Sequence, residues 1–378
     1  MVIVVNAVLA YEQPRGVGRY INNLFPAMAE LDKENQYYIY YGKWMKNYEF
    51  LSINQPNFHF IELDITNSTT SRNLYLAVKL PIDCKKYNPD LFFLVDTQAI
   101  LIKPCRIVST IHDLAEFVVP EKYSPKRALL RRQIVRHQVR ISDQIMTVSK
   151  YSKADICKRF HISSGRVAVV YNSVDAPEIG KLQQPEKYFL YVSEIERAKN
   201  LATLVKAYAG LPETIKKEYM LYIVGKKGND YENVMDLINR SKINDRVRFF
   251  GFVSDEELSD LYARAFCFIF PSVFEGFGLP VLEAMAKGTP VLCSNSSSIP
   301  EVGGDAVLTF EPYDEKAIGE QILKLINQEG LRSEMINRGI QRAGKFNKEA
   351  AARATLKVLN GMKTGRRVDQ KKQKEPFK

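Results

Sequence analysis

PSVFEGFGLPVLEAMAKGTPV, residues 271–291, is the stretch that decides how this chain is read. It starts where an apolar run, Cys267–Phe270, ends. Gly276-Phe277-Gly278 then permits a tight turn whose backbone N–H groups can approach a ligand closely. Pro280 suits the first helical position and Gly288 the residue just past a helix end, so the segment predicts strand, turn and helix in that order. On this spacing Glu283 falls in the first helical turn, beside amides that attract anions, while Glu275 stands before the turn. Two carboxylates so placed flank a site ready for a diphosphate. A carboxylate can also accept two hydrogen bonds from a sugar diol or a ribose diol. The same spacing fits a plain strand–turn–helix unit with two surface glutamates, because acids are common in a first helical turn.

Working outward, the same alternation recurs along the whole chain. Short β-branched or aromatic runs predict strands at Val2–Val5, Tyr37–Tyr41, Phe58–Leu63, Leu91–Val95, Arg106–Ile111, Gln144–Val148 and Val167–Tyr171. A second series follows at Tyr188–Val192, Met220–Val224, Val247–Phe250, Cys267–Phe270, Pro290–Cys293 and Val307–Phe310. Amphipathic stretches such as Val17–Leu31, Leu201–Leu211, Glu256–Ala265 and Glu315–Gln328 lie between them. Near-continuous apolar strands alternating with helices predict parallel sheets covered on both faces. At 378 residues the chain exceeds what one core serves, and the polar stretch Ser173–Lys187 separates the two series. The fold class expected is therefore α/β, with two doubly wound, Rossmann-like domains facing across a cleft and ligands at the carboxyl ends of the strands. The domains are placed at 1–174 and 186–345, followed by a C-terminal helix over 346–362 that packs back on the first domain. Residues 363–378, rich in Lys, Arg and Gln, are expected to be a basic disordered tail.

Composition excludes several classes. No apolar run approaches the ~20 residues needed to span a bilayer. The start MVIVV lacks the basic region and cleavage site of a signal peptide. Five scattered cysteines with no C-x-x-C pair predict neither a disulfide framework nor a zinc site, which fits a cytoplasmic location. The net charge of +11 is local: seven Lys/Arg and no acids fall in Lys122–Arg140, and seven more against two acids in Lys363–Lys378. A basic segment confined to one helix and one tail, with no reader motif, ranks nucleic-acid binding last. Arg132, Arg136 and Arg140 recur every four residues, with Leu130, Ile134 and Ile141 as an apolar row between basic positions. This pattern predicts peripheral contact with an anionic membrane at the inner face of the cytoplasmic membrane, or else a solvated helix whose apolar row packs on the sheet.

The segment 271–291 closely resembles the Glu, seven residues, Glu signature of the retaining family 4 glycosyltransferases, a GT-B family, here Glu275 to Glu283 around EGFGLPVLEAMA. IHDL (111–114), VSKYSKADI (148–156), VVYNSVD (169–175), IERAKNL (195–201), LYIVGKKG (221–228) and FFGFVSDEEL (249–258) look like family blocks in the family's order. PRGVGRY near the start and VPEKYSP after His112 look most like the mannosyltransferase branch that builds bacterial O-antigen and capsule polysaccharides. The resemblance implies that Glu275 contacts hydroxyls of the donor sugar and that Gly276, Phe277 and Gly278 help hold diphosphate and sugar through their amides. By the same route Glu283 holds the ribose, and Lys199 matches the lysine that grips the diphosphate. The family's preceding arginine is Ala198 here, Arg197 stands where proline is common, and Ser193 replaces a usual glycine. In the first domain the resemblance puts His112 near the donor's reacting centre and the amides at Gly16 near the diphosphate, while Arg15, Arg19 and Tyr20 could add contacts. Read alone, His112-Asp113 also fits a packed histidine beside a capping aspartate.

With no Asp-x-Asp in the chain, no metal is expected, and Lys199, Arg197 and backbone amides are left to neutralise the leaving diphosphate. The implied reaction moves a hexose, mannose from GDP-mannose by resemblance, to a glycan acceptor that is lipid-linked, by a front-face route in which the leaving phosphate takes the acceptor proton. A UDP-sugar donor, a non-catalytic scaffold with a degenerate donor site, a sugar phosphorylase and a two-carboxylate glycoside hydrolase are the competing readings. Acceptor contacts are expected on first-domain loops such as 65–72.

Overall fold

In a computed structural model, residues 1–14, 16–175 and 184–363 are described. Arg15, most of the expected linker and the basic tail beyond Lys363 lie outside them. The chain divides into two compact units. The first gathers Met1–Phe117, Pro125–Ser173 and the described residues from Phe346 onward; the second gathers Val118–Ser124 and the described residues between Val174 and Lys345. The expected first domain was continuous to residue 174, whereas Val118–Ser124 groups with the second unit, where Lys122 pairs with Glu196 at 3.2 Å.

The first unit is a seven-stranded parallel sheet. Its strands are β1 (Val2–Asn6), β2 (Gln36–Gly42), β3 (Phe58–Leu63), β4 (Leu91–Leu94), β5 (Arg106–Thr110), β6 (Gln144–Thr147) and β7 (Val167–Val169). They lie in the order β3-β2-β1-β4-β5-β6-β7. Alternation at β1 accounts for burial on both faces: Ile3 and Val5 enter one core with Phe25 and Met28, while Val4 enters another with Phe92 and Leu94. The helix Val17–Leu31 covers the first face together with the helix Lys348–Gly361, whose Ala352, Leu356, Val358 and Leu359 join the same core. Asn347 caps that last helix through Ala350 N–H at 2.8 Å. Residues 65–72 are not all loop, since Ser68 accepts from Ser71 N–H and starts the helix Thr69–Leu74.

The basic helix Pro125–Ile141 corrects the expected apolar row. The side chains it buries are Ala128, Val135, Gln138 and Val139, which share a face at helical spacing. Leu130 is turned away from the sheet and, like Leu129, is 58% exposed, while Ile134 and Ile141 are half-buried. Of the three arginines, Arg136 and Arg140 are exposed. Arg132 instead donates Nε–H to the Glu116 carbonyl at 2.7 Å and lies over the Phe117 ring. Arg131 faces the Glu116 carboxylate at 3.7 Å, where burial pushes that carboxyl above its ordinary range. Among the described residues, no helix is long and apolar enough to cross a membrane.

The second unit is a six-stranded parallel sheet. Its strands are β8 (Tyr188–Val192), β9 (Met220–Val224), β10 (Val247–Gly251), β11 (Cys267–Phe270), β12 (Val291–Ser294) and β13 (Val307–Phe310), in the order β10-β9-β8-β11-β12-β13. Phe189, Tyr191, Leu221, Ile223 and Ile269 build its core with the helix Leu201–Ala209. The chain runs outward from β8 toward β10, then returns to continue at β11 on the other side. Adjacent β8 and β11 therefore send their following loops to opposite faces, leaving a crevice at their carboxyl ends.

Candidate functional site

Of the second unit's expected site residues, Lys199 and Glu275 meet at that crevice. β8 leads into Ser193–Asn200 and β11 into Pro271–Gly278, and these two loops carry Lys199 and Glu275. Lys199 Nζ lies 2.5 Å from Glu275 Oε1, with both side chains about four-fifths or more buried at 16% and 13% exposure. Such a pair is a charge-assisted hydrogen bond in a partly desolvated place, stronger than the same pair on an open surface. Ser272 Oγ donates to the same carboxylate oxygen at 2.8 Å.

The lysine loop is held by groups that the sequence reading did not single out. Asn200, with φ +56°, donates from Nδ2 to the carbonyls of Pro271 and Pro312, and Thr203 Oγ1 donates to its Oδ1 at 2.7 Å. One buried amide thus ties the loops after β8, β11 and β13 together. The clue was the asparagine directly before a helical stretch in AKNL. Val273 N–H donates to the carbonyl of Ala198, whose side chain is buried.

Arg197 goes elsewhere. Its Nε lies 3.9 Å from Asp230 Oδ1, its backbone N–H donates to Asn229, and its side chain is 67% exposed. Arg197 and Lys199 thus flank the exit of β8, one toward the loop after β9 and the other toward the loop after β11.

Gly278 has φ +102°, a conformation that L side chains rarely adopt, and it caps the helix Leu279–Ala286. Because the helix starts at Leu279, Pro280 is its second residue and Glu283 opens its second turn. The placement of Glu283 in the first turn is therefore corrected. The Tyr262 hydroxyl, on a buried ring, donates to Glu283 Oε2 at 3.5 Å. The rings of Phe274 and Phe277 are buried, so Phe277 can meet a ligand only through its backbone.

In the first unit, His112 follows β5. Its Nε2 lies 3.0 Å from the Val95 carbonyl, and its ring meets Tyr20 edge-on at 5.0 Å. A carbonyl only accepts, so Nε2 carries the proton and Nδ1 is the acceptor of the neutral ring. Asp113 Oδ1 accepts from Ala115 N–H at 2.8 Å, the capping role open to it from the sequence. Tyr20 is packed inside, where burial pushes its hydroxyl up to about 12, and it faces Thr110 Oγ1 at 3.5 Å. A contact from Tyr20 to a ligand is thereby removed. Gly16, with φ +44°, precedes the helix Val17–Leu31 and its carbonyl accepts from Tyr20 N–H.

Two doubly wound units, with a lysine–glutamate pair at the switch point of the second, are the architecture of the GT-B type. The family model described as "Glycosyltransferase Family 4" matches residues 14–177, and that described as "Glycosyl transferases group 1" matches 175–342. The chain is 33% identical over 263 residues to the O-antigen chain mannosyltransferase B of Escherichia coli, covering 66% of this chain and 69% of that one. It is 30% identical over 228 residues to a Campylobacter jejuni N-acetylgalactosaminyltransferase named for a diphospho-undecaprenol-linked acceptor, covering 58% of this chain and 60% of the relative. Among solved structures, sucrose-phosphate synthase from Thermosynechococcus elongatus superposes with a TM-score of 0.75 at 21% identity, over 97% of this chain and all of that one. The chain belongs to the family 4 glycosyltransferases and is similar to their O-antigen mannosyltransferase branch.

By the ribose role that the family resemblance implies for Glu283, its replacement by alanine should weaken binding of a nucleoside diphosphate by roughly 1–3 kcal/mol, as loss of a partly buried hydrogen-bond partner does. Calorimetry on the purified variant reads this directly, and an unchanged affinity would remove Glu283 from the ribose.

Proposed function

We propose that this enzyme transfers mannose from GDP-mannose to a lipid-linked glycan, with the anomeric configuration of the donor kept, during assembly of a bacterial surface polysaccharide. The Lys199–Glu275 pair at the switch point carries the reading. Lys199 has three N–H donors and gives one to Glu275, so the others can meet the diphosphate as charge builds on it. Glu275 offers its second oxygen to a hydroxyl of the sugar. The turn Gly276–Gly278 and the helix start beyond it face the diphosphate, and Glu283 takes the ribose diol.

In the step itself the bond from the anomeric carbon to the diphosphate oxygen breaks, and a bond to the acceptor oxygen forms on the same face. The acceptor's proton passes to the departing phosphate oxygen. No side chain need act as nucleophile, and with Lys199 bearing the charge no divalent ion is required.

Mannose as the sugar is supported by the relative named as a mannosyltransferase, and a lipid-linked acceptor by the relative named for its diphospho-undecaprenol substrate. The test is transfer from radiolabelled GDP-mannose, compared with UDP-glucose and UDP-galactose, into a short polyprenyl-diphosphate-linked glycan with and without excess EDTA. Incorporation from GDP-mannose alone, undiminished by EDTA and giving the donor's anomeric coupling by NMR, is the expected result. Loss with EDTA that magnesium restores would sink the metal-independent route, and preference for a UDP-sugar would sink the donor.

A lipid-linked acceptor gives the basic helix a use at the inner face of the cytoplasmic membrane. Leu129 and Leu130 are exposed side by side, with Lys126, Arg127, Arg136 and Arg140 exposed on the same helix. Each cation near an anionic surface contributes about 1 kcal/mol, so four suffice for reversible docking once two leucines enter the interface. Wild-type protein should co-sediment with phosphatidylglycerol vesicles at low salt and much less at high salt. Reversing Arg136 and Arg140 to Glu, with Leu129→Gln and Leu130→Gln, should abolish most of that binding. Equal sedimentation of the two proteins would leave an ordinary solvated helix.

A further inference from the structure

The crossover after β12 reads SNSSS, residues 294–298, and it holds a strained residue next to Glu275. Ser297 has φ +53°. The left-handed region costs a non-glycine residue roughly 1–2 kcal/mol and persists where the surroundings enforce it. What enforces it is visible: Ser297 Oγ accepts the backbone N–H of Glu275 at 2.8 Å. Its neighbour Ser298, fully buried, donates Oγ to the Glu275 carbonyl at 2.9 Å. The peptide groups on both sides of Glu275 are therefore gripped by hydroxyls from a different crossover.

The carboxylate is gripped as well. Lys199 Nζ and Ser272 Oγ both donate to Oε1, and among the described residues Oε2 has no such partner. Ser272 is fully buried, and Ser294, also buried, donates to its carbonyl, which ties the ends of β11 and β12 together. One carboxylate oxygen is committed to the protein and the other is left open.

We infer that Ser297 is a positioning residue for glycosyl transfer. It fixes the peptide of Glu275 so that Oε1 is spent on Lys199 and Ser272, and Oε2 is aimed at a hydroxyl of the donor sugar. This rests on the role proposed for Glu275 above. Glycine takes φ +53° without strain, so Ser297→Gly relieves the backbone and removes only the hydroxyl. A positioning hydroxyl separates stability from turnover.

Three variants test it: Ser297→Gly, Ser297→Asn and Glu275→Gln. Asparagine tolerates the left-handed region and brings a side-chain oxygen that can accept a hydrogen bond. For each, the urea midpoint, the Kd for GDP by calorimetry, and kcat and KM with GDP-mannose are measured. In Ser297→Gly the midpoint should stay or rise, GDP affinity should hold within about twofold, and kcat should fall about tenfold, as small misplacements of a reacting geometry do. Ser297→Asn should recover most of the lost kcat. Wild-type turnover in Ser297→Gly, or a fall in midpoint that parallels the fall in kcat, would overturn the inference. Full activity in Glu275→Gln would instead overturn the role of Glu275, whatever the serine variants do.

Discussion

Lys199→Ala should turn over its donor on the order of 10²–10³ times more slowly than wild type, as removal of one charge-stabilising donor typically does. Two effects add. The diphosphate loses a cation just as its charge grows. Glu275, about seven-eighths buried beside Lys199, is also left with an uncompensated carboxylate facing an incoming anion. Lys199→Arg should recover only part of the loss, because a planar fork cannot replace a compact ammonium on a flexible stem. The measurement is kcat with saturating nucleotide sugar, with GDP affinity followed separately. A rate within about threefold of wild type would show that the charge is neutralised by another group, with Arg197 the first to examine.

The second large effect concerns Gly225, in the loop after β9. An added Cβ there would lie 1.8 Å from the Ser193 carbonyl oxygen and 2.5 Å from its carbon, and the backbone itself sits at φ +145°. Neither neighbour is a flexible side-chain tip that could swing aside. Gly225→Ala must therefore displace the loop that begins at Ser193 and ends in Lys199, or displace the end of β9. A loss of about 3 kcal/mol or more is expected, the upper end for overpacking, because backbone meets backbone. Urea unfolding reads it as a lowered midpoint with unchanged slope. A variant with wild-type midpoint and wild-type turnover would mean that the approach of these two loops is looser than the fold implies. Gly228, whose Cβ would meet the Ile195 carbonyl oxygen at 2.6 Å, should behave similarly but less severely.

The positions of the thirteen strands were legible because strands buried on both faces print as short apolar runs, and nearly every crossover interrupts them with polar residues. Helix Val17–Leu31 was legible to the residue for the same reason of period. Within the site, Lys199 and Glu275 could be named but their union could not. Their sequence separation of 76 is closed by sheet order, which no local pattern encodes. Glu283 was misplaced by one residue along the helix because proline is tolerated at both of the first helical positions, and only the cap at Gly278 settles which. The face of Pro125–Ile141 was misread because Leu130 and Ile134 look more apolar than Ala128, yet packing selects by position and not by size. The serines at 294–298 read as an ordinary polar turn, since a hydroxyl's partner lies wherever the next crossover happens to pass.

The last helix has a consequence in time. Lys348–Gly361 completes a core begun by Ile3, Val5 and Phe25, although it leaves the ribosome after the entire second unit has been made. Through that interval the first unit waits with an apolar seat uncovered beside Val17–Leu31, while the second can close around its own strands. The first unit's core is therefore closed by a helix made after the second unit, and the interval before it is the stage at which a chaperone has most to protect.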